Sequence, residues 1–131
     1  MRVRSALSIL TFTLIAALAG PAFAEGDAAK GEKVFRKCKA CHAVEEGKNK
    51  VGPSLFNVIG RTPGTEEGFS YSKAMEEFGA GGHVWDEETL SSFLEKPKGL
   101  VDKTKMSFVG LRKEEDRADV IAYLKQFSKS D

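Results

Sequence analysis

The chain has 131 residues, a formal net charge of +1 and 30% charged side chains. Balanced charge gives no bulk electrostatic hold on nucleic acid, so nothing points to that class of partner. Two cysteines do not make a disulfide-dense scaffold, and the length suits one small domain.

Residues 1–24 read as a secretory signal. Arg2 and Arg4 form a positive start, residues 6–18 are apolar apart from Ser8, Thr11 and Thr13, and Gly20-Pro21 precedes the small-residue site Ala22-Phe23-Ala24. Cleavage after Ala24 leaves residues 25–131 as one domain with a formal charge of −1. The alternative is a retained membrane anchor. The run is near the lower limit for a span, and the Gly-Pro break before an A-x-A site favours cleavage. A core this small is marginal without a metal, a disulfide or a cofactor.

Asp27 is placed to cap a helix from residue 28 into the Cys38 turn, with Val34 and Phe35 on its apolar side and Gly31 one turn earlier. Next comes "CKACH", Cys38 to His42, which holds both cysteines and one of the two histidines. A disulfide between residues three apart would close a tiny loop and stabilise little. A thioredoxin-like pair wants a βαβ pattern, and no convincing strand is present. Zinc needs about four ligands, and His83 alone remains to complete such a set. Another option is covalent haem attachment, for which C-x-x-C-H is the signature, and which needs a second ligand and a suitable fold around it. The two thiols add to the two vinyl groups of one haem, and the adjacent imidazole is set under the iron.

Gly52-Pro53 reads as a turn. Ser72 opens a short helix expected to end at Phe78, stopped by Gly79 and Gly81-Gly82. His83 reads as an exposed loop histidine. Asp86 caps a third helix with Leu90, Phe93 and Leu94 on one side and Pro97 as its stop. Met106 follows in a polar, loop-like segment with room to swing inward. It is the natural second axial ligand, since His and Met are the pair of electron-transfer cytochromes c and a thioether raises the potential. A last helix spans 114–127, with Val120, Ile121, Leu124 and Phe127 at helical spacing, acids in its first turn and Lys125 in its last.

The words "GDAAKGEKVFRKCKACH", "VGPSLFNVIGR", "GFSYSKAM", "WDEETLSSFLEKPK", "TKMSFVGL" and "DRADVIAYLK" stand in one order along nearly the whole mature chain. In that order the chain resembles a class I c-type cytochrome, most closely the bacterial periplasmic cytochromes c2. The resemblance implies an all-α fold, three to five helices and long loops wrapped around one haem c bound through Cys38 and Cys41. Without haem, such loops have nothing to fold upon, so the apoprotein is expected to be largely disordered.

It also implies roles. The Pro53 carbonyl accepts the Nδ1–H of His42, and His42 and Met106 bind iron. Arg61, Tyr71 and Trp85 surround the haem propionates, and Thr104 reaches one of them. The first and last helices cross with Gly31 and Phe35 against Val120 and Tyr123. Three positions depart from the family pattern: Phe93 for a common tyrosine, Asp102-Lys103 for a proline and glycine, and Met75 for a frequent polar residue.

The function implied is a periplasmic one-electron carrier cycling Fe(III)/Fe(II), a monomer rather than an enzyme. It would run between a membrane quinol–cytochrome c reductase and a cytochrome c oxidase or photosynthetic reaction centre, docking through a lysine-rich haem-edge face. Two alternatives stay open: a dedicated acceptor for one periplasmic dehydrogenase, and a small haem peroxidase or gas-binding cytochrome with an open iron.

Overall fold

The computed structural model describes residue 16 and residues 24–129, so the expected signal at 1–24 lies almost wholly outside the described residues. Among them are five helices and no strand: α1 (Ala28–Phe35), α2 (Lys73–Ala80), α3 (Glu87–Glu95), α4 (Pro97–Leu100) and α5 (Glu114–Lys125). None of these helices is long and apolar enough to cross a membrane.

Helix α1 starts where its cap allows. The Asp27 carboxylate accepts from the N–H groups of Ala29 and Lys30 at 2.9 and 3.1 Å, satisfying donors that have no partner inside the helix. The N–H of Asp27 itself donates to the Asp119 carboxylate at 2.7 Å, which ties the start of α1 to α5. The two helices then touch backbone to backbone. A Cβ on Gly31 would lie 1.9 Å from the Asp119 carbonyl oxygen and 2.8 Å from Cβ of Tyr123. The crossing expected at Gly31 is therefore present, with Asp119 rather than Val120 its nearest neighbour. Phe35 packs on Tyr123 with ring centroids 5.2 Å apart.

Two expected helix ends are corrected: α2 continues past Phe78, and α5 ends at Lys125 rather than at residue 127, whereas α3 stops just before Pro97 as expected. Helix α2, capped by Ser72, runs through Gly79 to Ala80. Gly79 is not a stop: a Cβ there would lie 1.8 Å from the Pro63 carbonyl oxygen, so glycine lets the helix lie against that loop. Helix α3, capped by Asp86, ends at Glu95, and Pro97 opens α4 at a position where its missing N–H costs nothing.

The segment that carries Met106 is held from behind. Its Leu111 N–H donates to the Leu94 carbonyl at 2.7 Å. Arg117 of α5, buried, donates to the Leu111 and Arg112 carbonyls at 2.8 and 2.9 Å and to Ser91 of α3 at 3.0 Å. An ion pair between Lys125 and Glu87 joins the same two helices. The core they enclose includes Phe35, Trp85, Phe93, Val120, Ile121 and Leu124. It surrounds one side of a large cavity.

Candidate functional site

That cavity is lined mostly by apolar side chains, among them Phe35, Leu55, Phe69, Met75, Phe93 and Phe108. All nine residues singled out from the sequence reach it: Cys38, Cys41, His42, Pro53, Arg61, Tyr71, Trp85, Thr104 and Met106.

The attachment segment is a tight turn that continues α1. The N–H groups of Cys41 and His42 donate to the Cys38 carbonyl at 3.0 and 2.9 Å, which gathers both thiols and the imidazole at one wall. Both thiols are free, Cys38 half-buried and Cys41 exposed. Burial pushes the Cys38 thiol up, against a smaller opposing pull from Lys37.

His42 is placed by two neighbours. Its Nδ1 stands 2.7 Å from the Pro53 carbonyl oxygen. A carbonyl only accepts, so Nδ1 carries the proton and Nε2 keeps its lone pair. Burial lowers the imidazole below its ordinary range, with the Pro53 bond opposing and Arg61 and Lys50 adding to the fall. The ring is therefore neutral near pH 7, the form in which histidine binds a metal. The backbone of Gly52 lies against the ring, and the Gly52 N–H donates to the Cys41 carbonyl at 2.8 Å.

Met106 lines the same cavity from the segment between α4 and α5. Its N–H donates to the buried Thr104 hydroxyl at 3.3 Å, and the preceding Lys103 sits at φ 63°. Trp85 is buried against Phe93, with centroids 5.0 Å apart. Its backbone exchanges hydrogen bonds with the 60–61 loop at 2.9 Å each way: Gly60 N–H to the Trp85 carbonyl and Trp85 N–H to the Arg61 carbonyl. Burial raises the Tyr71 phenol above its ordinary range, so it is a protonated donor at neutral pH. His83 is exposed and stacks on Phe78 at 3.9 Å, and it does not line the cavity.

One participant escapes sequence reading. Glu66 pairs with Arg61 at 2.8 Å, both side chains being largely buried. An acid in a Gly-rich loop carries no spacing signal, and only the folded loop brings it to Arg61.

The comparisons agree with this geometry. The cytochrome c family model matches residues 28–128. The chain belongs to the cytochrome c family. It is 52% identical over 104 residues to cytochrome c2 of Rhodomicrobium vannielii, covering 79% of this chain and 81% of that one. Cytochrome c-554 of Methylosinus trichosporium is 48% identical over 128 residues, covering 97% and 95%. The solved structure of cytochrome c2 from Rhodospirillum centenum superposes with a TM-score of 0.75 at 44% identity, over 79% of this chain and all of that one.

A cytochrome c of this family carries one covalently attached haem c and transfers electrons rather than catalysing a reaction. The residues present fit that group. Two free thiols stand in the C-x-x-C-H position beside a neutral imidazole, and a thioether reaches the same apolar cavity. Bound there, haem supplies a one-electron iron couple. The chain's part is to hold it by two thioether bonds and keep water from it.

Proposed function

We propose that this chain is a periplasmic one-electron carrier in which His42 and Met106 are the axial ligands. It takes electrons from a membrane quinol–cytochrome c reductase and delivers them to a cytochrome c oxidase or photosynthetic reaction centre. Residues 1–24 serve as its export signal and are removed. Arg61, Tyr71, Trp85 and Thr104 serve the haem carboxylates, which are costly to bury without donors.

One observation carries the reading: Met106 reaches the same cavity as His42, Cys38 and Cys41. With both axial positions filled by the protein, no site is left for a substrate, and the same ligands serve both oxidation states. That favours electron transfer over the open-iron alternative. The cytochromes c2 among the relatives support a bacterial carrier of this kind.

The test is a visible and near-infrared spectrum of the oxidised holoprotein. A methionine–iron charge-transfer band, lost in Met106→Ala together with a fall in potential, is expected. A high-spin spectrum in the wild type, or a band untouched by Met106→Ala, would overturn the ligand assignment. The mass of the denatured protein should equal residues 25–131 plus one haem.

A further inference from the structure

Glu66 lies behind the polar wall of the cavity rather than on it. Arg61 and Tyr71 line the cavity, and Glu66 touches both. Its carboxylate accepts from Arg61 Nη1 at 2.8 Å, and its backbone N–H donates to the Tyr71 hydroxyl oxygen at 3.1 Å.

The hydrogen-bond accounting gives these contacts a direction. Arg61 Nη1 also donates to the Ser54 and Phe56 carbonyls at 3.0 and 3.1 Å, and Nη2 donates to Ser54 at 3.0 Å. A guanidinium has five N–H groups. Among the described residues, Nε–H and one Nη2–H find no protein acceptor. The Tyr71 oxygen is already accepting from Glu66, so its own proton is left to donate elsewhere. Glu66 thus pins two donors from the protein side and leaves their remaining hydrogens for an acid on the cavity side. Haem brings two carboxylates.

The charge also matters. The Arg61 and Glu66 side chains are 13% and 17% exposed, so water screens the pair poorly. Reduction of the iron adds one negative charge, which a nearby carboxylate opposes and a guanidinium favours.

We infer that Glu66 is a positioning residue for the acidic edge of the haem, its carboxylate holding Arg61 in place and lowering the reduction potential through its partly buried charge. The inference rests on the proposed placement of Arg61 and Tyr71 beside the haem carboxylates.

The test is a spectroelectrochemical titration of the holoprotein and four variants. Glu66→Gln should raise the potential, because it removes the negative charge and frees Arg61 for the haem acid. Glu67→Gln, the same change at the exposed neighbour, should move it far less. Arg61→Gln should lower it, and Glu66→Asp should fall between Glu66→Gln and wild type. In ¹⁵N NMR the Arg61 guanidinium protons should exchange slowly in wild type and faster in Glu66→Gln. An unchanged potential in Glu66→Gln overturns the inference. If Arg61→Gln still shifts the potential, the placement of Arg61 stands without it; if neither shifts, that placement falls too. Should Glu66→Gln fail to accumulate as holoprotein, Glu66→Asp decides: the shorter acid cannot keep the 2.8 Å contact unmoved, and wild-type exchange and potential would overturn the inference.

Discussion

Gly52 lies so close to His42 that a Cβ built on it would stand 2.4 Å from Cε1 of the imidazole and 2.8 Å from Nδ1 and Nε2. No real Cβ contact is that short, so the ring or the backbone must move if any side chain is added. The ring is also held by Pro53, the very next residue, at 2.7 Å. Gly52→Ala therefore sets the methyl against the Nδ1 hydrogen bond. Overpacking of this kind costs about 1–3 kcal/mol. Guanidinium unfolding of the holoprotein should show that loss, together with a changed potential, since a displaced imidazole is a changed donor. Wild-type values for both would mean the close approach has no consequence.

Lys103 occupies the left-handed region at φ 63°, two residues after the buried Val101 and three before Met106. For a residue with a Cβ this conformation costs roughly 1–2 kcal/mol. Glycine avoids that cost but loses about 0.5–1 kcal/mol through its freer unfolded chain. Lys103→Gly should thus stabilise the holoprotein by about 0.5–1 kcal/mol. The gain should be read as a higher denaturation midpoint with an unchanged slope. Lys103→Val, which tolerates this region worst, should destabilise it.

Element starts were legible because Asp27, Ser72 and Asp86 each supply a side-chain oxygen to the first turn, a local device. Ends were less so. Gly79 reads as a stop in isolation, yet it stays helical because what demands glycine is the Pro63 carbonyl, sixteen residues away in sequence. The nine candidate site residues were found through spacing and resemblance, and the fold brings them to one cavity. Glu66 was invisible because its contacts with Arg61 and Tyr71, each five residues away, depend on an irregular loop conformation that has no periodic signature.

Asp86 links a cap to pH. Its carboxylate accepts from the Thr89 N–H at 2.7 Å, and that bond holds the carboxyl below the usual carboxylate range. A group whose folded pKa is depressed stabilises the fold above its unfolded value. That contribution disappears as pH falls through the folded value. Asp86→Ala should cost about 1 kcal/mol at neutral pH, typical of a lost N-cap. The gap between wild type and variant should close as pH falls below about 4, the unfolded range of aspartate. Thermal unfolding across a pH series measures it. A gap that persists at low pH would assign the loss to packing rather than to the charged cap.

The docking face we propose rests on where the lysines lie. Lys37 and Lys105 line the cavity, and the Lys105 ammonium is steadied by the Ser70 carbonyl at 3.1 Å. Lys96 and Lys98 border a shallow groove with Phe108 and Val109, residues just beyond Met106. Lys50 reaches the carbonyl of Lys39, in the attachment turn, at 2.6 Å. Arg36, Lys48 and Lys103 belong to the same segments. Val109 is 85% exposed, which sets an apolar contact among these cations. Lys113, at the start of α5, and Lys129, paired with Glu46, do not line the cavity. Lys48 is paired with Glu45 at 3.7 Å and Asp102 adjoins Lys103, so the face is basic in excess rather than of one sign. An excess of positive charge around the mouth of the cavity would steer an acidic partner onto that mouth. Such steering is screened beyond a Debye length of about 8 Å at physiological ionic strength. The bimolecular electron-transfer rate with a physiological partner is therefore expected to fall as salt rises. Lys39→Glu, Lys98→Glu and Lys105→Glu should each slow it at low salt, while Lys113→Glu and Lys129→Glu slow it less. Stopped-flow kinetics over a salt series separates the two groups, because the differences should shrink together as screening grows. Equal effects at all five positions would mean that net charge alone governs encounter, and the cavity-edge face would have to be abandoned.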